Sequence, residues 1–406
     1  MKKNSIDRLR EYQIKSGYTP FDLSQYEAVA DLCIPADMPA EVRQALKNAA
    51  LDKLRATMKQ LPTEYQELGW FEVLQDLYER IQKAAVLMSE KNKFTFPDKL
   101  TYGTAAIDSF TAFVEDYNHD QDYLILVSDE LFTFANLLSK SIGMLLIDPS
   151  EKTDADGRLQ FNLDTSHIDH MLMTNHEAVI RFADLIFAYA ITNHASNAKQ
   201  YTPEFSLATI SSMFRESFEL FILGHEYSHL LRGHFSDWTT VAADTKHYVE
   251  LSKEKIEIMV TNWLQETEAD VLAAYLAITA MEDCDFASSY AGVDISSITL
   301  IILERMEIEL KGKTLYPVTH PPAEVRREVV YRHLLDVNQD IKGIYEANTY
   351  VVDALWNRCM YLLTRLNELL QGAVNHSLIN VPYFLTQRLL YRIGDKLLSD
   401  FEEAAK

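Results

Sequence analysis

The segment FELFILGHEYSHLLRGH, residues 218–234, constrains the fold more than any other part of this 406-residue chain. Its apolar residues recur with helical spacing, and we predict one helix that begins near Thr202 and ends at Gly233. Residues four apart on a helix differ by about 40° in azimuth and about 6 Å in rise. His225 and His229 are therefore expected to share one face of this helix.

Two imidazoles on one helix face can bind a single metal ion, and the segment contains the complete pattern HExxH. Glu226 lies about 100° around the helix from His225, beside such an ion and not bound to it. Its carboxylate can accept a proton from a water molecule that the ion acidifies. The pattern therefore predicts a Zn²⁺ site, with His225 and His229 as ligands and Glu226 as general base.

A catalytic zinc site needs a third protein ligand, and the downstream stretch QETEADVLAA offers three carboxylates. Glu266 and Asp270 are four residues apart and share a helix face, whereas Glu268 points about 200° away from Glu266. We predict that Glu266 is the third ligand. Asp270 would lie one turn further on and hold a ligand histidine by its second ring N–H, unless it is a solvated helix carboxylate.

His234 is an alternative third ligand in place of Glu266. It lies about 140° around the helix from His229 and beyond Gly233, the predicted helix terminator. This position favours a structural role, although a histidine third ligand occurs in other zinc peptidases with different spacing.

Three motifs occur in a fixed order: HExxHxxxxH from His225 to His234, ExxAD from Glu266 to Asp270, and THPPxxxR from Thr319 to Arg326. Together they resemble the gluzincin-type zinc metallopeptidases that include the HtpX heat-shock protease and the CAAX prenyl endopeptidase. A looser resemblance, carried by the first motif, is to the Lit-type phage-exclusion protease.

The resemblance implies a zinc endopeptidase that binds one Zn²⁺ per chain and acts on a protein or peptide substrate. It implies that His225, His229 and Glu266 bind the zinc and that Glu226 is the base. His320 and Arg326 would lie near the cleft and steady the substrate or the oxyanion. From the residues alone, His-Pro-Pro could equally interrupt the chain before the next helix.

Two other functions stay open. One is a noncatalytic zinc-binding regulator or scaffold, which the presence of Glu226 disfavours because a structural site needs no base. The other is a latent peptidase of a stress or phage-defence system, in which the N-terminal helices or the polar segment 148–175 block the cleft.

The apolar pattern predicts an α+β fold that is predominantly helical, with a zincin-like core and a small sheet beside the HExxH helix. We divide the chain into an N-terminal helical region (1–120), the metallopeptidase core (121–336) and a C-terminal helical region (337–406). Within the core we expect a strand at 123–128 followed by a helix, then helices at 254–280 and 295–310 and one after Pro322. The segment from 148 to about 175 is expected to be a loop, and His167, His170 and His176 in or at the end of it are expected to be surface histidines.

Composition excludes some functions. The net charge of −22 opposes the positive field that nucleic acids require, so nucleic-acid binding is not expected. The three cysteines lie far apart, which favours reduced thiols and a cytoplasmic location. The N-terminus lacks the apolar run of a signal peptide, and we expect no integral membrane segment. The oligomeric state is left open.

Overall fold

The described part of the chain is mainly helical and contains one three-stranded sheet, which confirms the predicted α+β class. The structure is a computed structural model that describes residues 3–22, 38–107, 111–116, 121–146, 162–234, 253–282, 284–312, 320–371 and 383–404. Contacts between Cα atoms divide the chain into two units. The first comprises Met1–Glu79 and Phe96–Asp129, and the second Arg80–Thr95 and Glu130–Lys406.

The first unit contains the sheet, formed by β1 (Lys99–Ala105), β2 (Ala112–Asp116) and β3 (Asp122–Ser128) in the order β1-β3-β2. The central strand β3 is parallel to β1 and antiparallel to β2. Helices α1 (Ser5–Lys15) and α2 (Ala40–Met58) belong to the same unit, as does α3 (Leu68–Ser89) as far as Glu79. The predicted strand at 123–128 is thus confirmed.

A small apolar core of Leu9, Ala105, Leu124 and Leu126 joins α1 to the sheet. Strands β1 and β2 lie inside the region 1–120, for which the sequence predicts a helical region and no strand was identified. Both are edge strands with mixed burial, so their period-2 signal is weak in the sequence. The predicted three-part division of the chain and the position of the sheet beside the HExxH helix stay predictions.

The second unit is helical. Its helices are α4 (Asp129–Leu146, from Glu130 onward), α5 (Thr165–Thr174), α6 (His176–Thr192), α7 (Phe205–Arg232), α8 (Lys253–Ala280), α9 (Phe286–Arg305), α10 (Ala323–Leu335), α11 (Ile341–Gln371) and α12 (Tyr383–Ala404). The HExxH helix α7 packs against α8 and α9, and α10 packs against the same two helices. These four helices form the surroundings of the candidate site.

The ends of these helices agree with the sequence in most places. Helix α7 ends before Gly233, which has φ +69°, while its predicted threonine cap is replaced by Glu204, whose side chain forms no capping bond. Helix α8 matches the predicted range 254–280, and α10 begins directly after Pro322.

Two predictions about helix positions were wrong. Helix α9 begins at Phe286 and not near residue 295, because Asp285 caps it by accepting a hydrogen bond from the backbone N–H of Ser288. Helix α5 occupies part of the predicted loop 148–175, with Asp164 as its cap. Residues 148–161 of that loop lie outside the described residues. His167 and His176 are partly buried and His170 is exposed.

Among the described residues one segment, Phe286–Leu310, is long and apolar enough to cross a membrane by length and composition. Of its most apolar window, 72% is buried inside the structure, as in the core helix of a globular protein. The expectation of no integral membrane segment stays a prediction. Cys284 and Cys359 are free thiols, and Cys33 lies outside the described residues. These observations do not decide localisation, so the cytoplasmic location stays a prediction.

Gly292 sets the distance between α9 and α7. A Cβ atom at this position would clash with Cβ of Ser217 and lie 2.8 Å from the carbonyl oxygen of Phe214. By contrast, a Cβ at Gly343 on α11 would meet one side-chain atom of Leu163 at 3.8 Å. Only the first position therefore depends on the missing side chain.

We predict that Gly292→Ala lowers the stability of the protein by roughly 1–3 kcal/mol, because α9 must move away from α7. Gly343→Ala is the matched control and should leave stability unchanged or slightly raised, since alanine favours the helix. Thermal unfolding of the two variants measures the difference. Equal midpoints for Gly292→Ala and the unaltered protein would contradict this view of the α7–α9 contact.

Candidate metal centre

Helix α7 places His225 and His229 one turn apart, as the spacing predicts. Both residues are buried, with exposures of 8% and 2%. Their ring centroids are 4.8 Å apart, and the Nε2 atoms of the two rings lie 3.2 Å from each other. The two imidazoles thus present the same nitrogen to one point between them.

Glu266 on α8 completes a triangle with these nitrogens. Its Oε2 atom lies 3.4 Å from Nε2 of His225, and its Oε1 atom lies 3.5 Å from Nε2 of His229. The Glu266 side chain is 4% exposed. These three residues form a buried group that could hold a metal ion.

Small residues allow α8 to approach α7 at this point. Ala269 and Ala273 are fully buried on α8, and the backbone of Ala273 lies beside Gly224, the residue before His225. A carboxylate as short as that of Glu266 can span the gap between the helices only where they run close together. The sequence therefore determines the site partly through alanines and a glycine that carry no chemistry.

Asp270 and Arg326 lie behind His225. The Oδ1 atom of Asp270 is 2.9 Å from Nδ1 of His225, so Asp270 is placed where the sequence predicted a partner for a ligand histidine. Arg326 donates two hydrogen bonds of 2.7 Å to the Asp270 carboxylate. Its Nη2 atom is also 3.6 Å from Oε2 of Glu266.

His234 and Glu268 lie behind His229, which the sequence reasoning did not anticipate. The Nδ1 atoms of His234 and His229 are 2.9 Å apart, and Nε2 of His234 is 3.4 Å from Oε2 of Glu268. Arg232 approaches the other oxygen of Glu268 at 3.1 Å. The angle of 140° on an ideal helix is misleading here, because Gly233 turns the chain before His234.

The remaining predicted site residues surround the triangle. Glu226 is buried at 8% exposure, and its charge is among those that raise the pKa of Arg326. The His320 side chain is 52% exposed and brings its Nε2 atom to 3.5 Å from Oε1 of Glu266. Thr319, the first residue of the third motif, lies outside the described residues.

The surroundings of the three donor residues shift their pKa values in different directions. Burial lowers the pKa of His225, but Asp270 and Glu266 outweigh it and raise that pKa to about 10. Burial and the charge on His225 lower the pKa of His229 to about 3. Although burial raises it, neighbouring histidines lower the pKa of Glu266 to about 2.

These shifts favour a charged His225 ring, a neutral His229 ring and an ionised Glu266 carboxylate near neutral pH. The Oε2 atom of Glu266 is buried and accepts no hydrogen bond from the described residues. Arg326 and His225 approach this oxygen at 3.6 and 3.4 Å without a hydrogen bond, and a buried acceptor with no hydrogen bond is costly, so a bound cation would stabilise it. The residues present thus fit a metal ion held by two nitrogens and one oxygen.

Comparison with models of protein families, with curated proteins and with solved structures found no match for this chain. The resemblance to gluzincin peptidases stays a prediction from three motifs.

In the metal-free protein we predict that the His225 ring is still charged well above pH 8, and that the His229 ring is still neutral at a pH below 5. Asp270 and Glu266 outweigh burial and raise the pKa of His225, whereas burial and the charge on His225 lower the pKa of His229. Nitrogen-15 NMR of histidine-labelled protein, assigned with single variants, measures both titrations. Two rings that titrate together near the ordinary pKa of about 6.5 would contradict the assignment.

Metal binding at this site should release a proton. A metal ligand must be a neutral imidazole, so binding expels the proton held by His225. Metal affinity should therefore increase with pH throughout the range below the raised pKa of His225.

Proposed function

We propose that this protein is a zinc-dependent endopeptidase of the gluzincin type. Zn²⁺ would be held by His225, His229 and Glu266, one ion per chain, with Glu226 as the general base. The substrate would be a peptide bond in a protein or peptide.

The observation that carries this proposal is the size of the donor triangle. A tetrahedral zinc ion with bonds of about 2.1 Å has ligand atoms about 3.4 Å apart. Here the Nε2 atoms of His225 and His229 are 3.2 Å apart, and Glu266 lies 3.4 Å from the first through Oε2 and 3.5 Å from the second through Oε1. One donor atom from each residue can be chosen so that all three lie within 4.8 Å of one another. Two imidazoles and one carboxylate are also a donor set that leaves one position of a catalytic zinc open.

When bound, zinc would supply Lewis acidity, which polarises the scissile carbonyl and makes water easier to deprotonate. Glu226 then accepts a proton from the attacking water as the oxygen bonds to the carbonyl carbon. The same carboxylic acid returns that proton to the amide nitrogen as the C–N bond breaks. The products are a carboxylic acid and an amine, and Glu226 is again ionised.

We propose different roles for His320 and Arg326, the two predicted site residues of the third motif. His320 is half exposed, and its Nε2 atom lies 3.5 Å from Oε1 of Glu266, a position from which the ring would donate a hydrogen bond to the oxyanion that forms on the carbonyl oxygen. Arg326 is largely buried, and its paired hydrogen bonds go to Asp270. We therefore propose that Arg326 positions Asp270, and through it His225, and does not bind the substrate.

We predict that Glu226→Gln retains stoichiometric zinc and loses at least about 100-fold in hydrolysis, because general base catalysis contributes roughly 10²–10⁴-fold. Elemental analysis measures the zinc, and dye-labelled casein together with a pool of fluorogenic peptides measures hydrolysis.

Glu219→Gln is the matched control for this experiment. Glu219 is another buried glutamate of α7, with its pKa raised to about 7 by burial, and it is not part of the triangle. The Glu219→Gln substitution should leave both the zinc content and the rate of hydrolysis unchanged. Full hydrolysis by Glu226→Gln would refute the mechanism, and zinc-loaded protein without any hydrolysis would favour the noncatalytic regulator.

A further inference from the structure

The ligand His229 is linked to a carboxylate through a second histidine. Its Nδ1 atom lies 2.9 Å from Nδ1 of His234, whose Nε2 atom lies 3.4 Å from Glu268. His225, in contrast, faces the carboxylate of Asp270 directly, at 2.9 Å. Each of the two histidines of the triangle thus has a carboxylate behind it, at a different distance.

The chain reversal at Gly233 produces this arrangement. With φ +69°, Gly233 adopts the left-handed conformation that closes the C-terminus of α7, and its N–H donates to the carbonyl of Leu230. His234 follows immediately, and its ring is buried at 6% exposure beside His229. An αL residue with a side chain would be strained here, so the glycine helps to place the histidine.

The contacts of His234 leave only one set of proton positions when His229 binds a metal through Nε2. His229 must then carry its proton on Nδ1 and donate it to Nδ1 of His234. His234 consequently carries its own proton on Nε2 and directs it to Glu268. Both nitrogens of His234 are used in this way, which argues against His234 as a ligand in place of Glu266.

Glu268, the last residue of this series of contacts, is held in place by a neighbouring arginine. Arg232 pairs with Glu268 at 3.1 Å, and its guanidinium lies 5.6 Å from the ring centroid of Phe94. Glu268 also borders a groove of about 620 Å³, and its side chain is 48% exposed. Glu268 can therefore be replaced without disturbing the core.

We propose that His234, oriented by Glu268, is a positioning residue that fixes the tautomer and ring orientation of His229 for metal binding. This inference rests on the proposed zinc site. It adds a function for two residues that the mechanism of hydrolysis does not use. Partners of this kind raise the affinity of a site because the ligand no longer has to be oriented when the metal arrives.

The test is the dissociation constant for Zn²⁺, measured in competition with a chromophoric chelator. His234→Leu removes both hydrogen bonds and should weaken zinc binding by roughly 10–100-fold. His234→Asn keeps an acceptor at the position of Nδ1 and should recover most of the loss. A residue that only fills space would show no such recovery.

Glu268 supplies a second test, in case His234→Leu does not fold. Glu268→Ala should weaken zinc binding, and Glu268→Gln should restore it, because the amide oxygen can still accept from Nε2 of His234. His333→Leu is the control, since His333 borders the same groove but bonds to the carbonyl of Val329.

The outcomes separate this inference from the proposed function. Wild-type zinc affinity in both His234→Leu and Glu268→Ala would overturn the positioning role, while the peptidase proposal would survive if Glu226→Gln still abolished hydrolysis. Failure of the unaltered protein to bind zinc would overturn both. Equal weakening by His333→Leu would also count against the inference, because the loss would then not be specific to the chain of hydrogen bonds.

Discussion

The contact between α7 and α8 is the constraint on which the candidate site depends. It buries the carboxylates of Glu266 and Asp270 against the histidines of α7, and isolated buried charges are too costly to persist. Asp270 is compensated by Arg326 from α10 and by His225. The negative charge of Glu266 is only partly compensated by its neighbours, and a bound divalent cation would compensate the remainder. The helix packing therefore makes a cation site out of an otherwise unfavourable cluster of charges.

The two histidines of the triangle are supported in different ways. His225 has a direct carboxylate held by two arginine hydrogen bonds, whereas His229 has an imidazole that stands between it and Glu268. The carboxylate of Asp270 helps to raise the pKa of His225, whereas burial and the charge on His225 lower the pKa of His229. Asp270, Arg326 and Glu268 lie outside the HExxH pattern, and they contact or support the side chains behind these two histidines.

Most of the site could be predicted because its residues recur at helical spacing. The pairs His225/His229 and Glu266/Asp270 are each four residues apart, so helix geometry alone placed them. His234 could not be placed, because its position depends on the backbone turn at Gly233 and not on the helical period. The start of α9 was missed because its first turns are rich in small residues and only Asp285 marks them. Strands β1 and β2 were missed because edge strands carry little alternation.

The central claim is that His225, His229 and Glu266 grip one ion together. Zinc K-edge X-ray absorption of protein loaded with one equivalent of Zn²⁺ tests it most directly. The account predicts a four-coordinate ion with scattering from two imidazoles and otherwise oxygen, at about 2.0–2.1 Å, with one imidazole lost in His229→Ala. A sulfur ligand at about 2.3 Å, or an ion with no imidazole in its shell, would contradict the account.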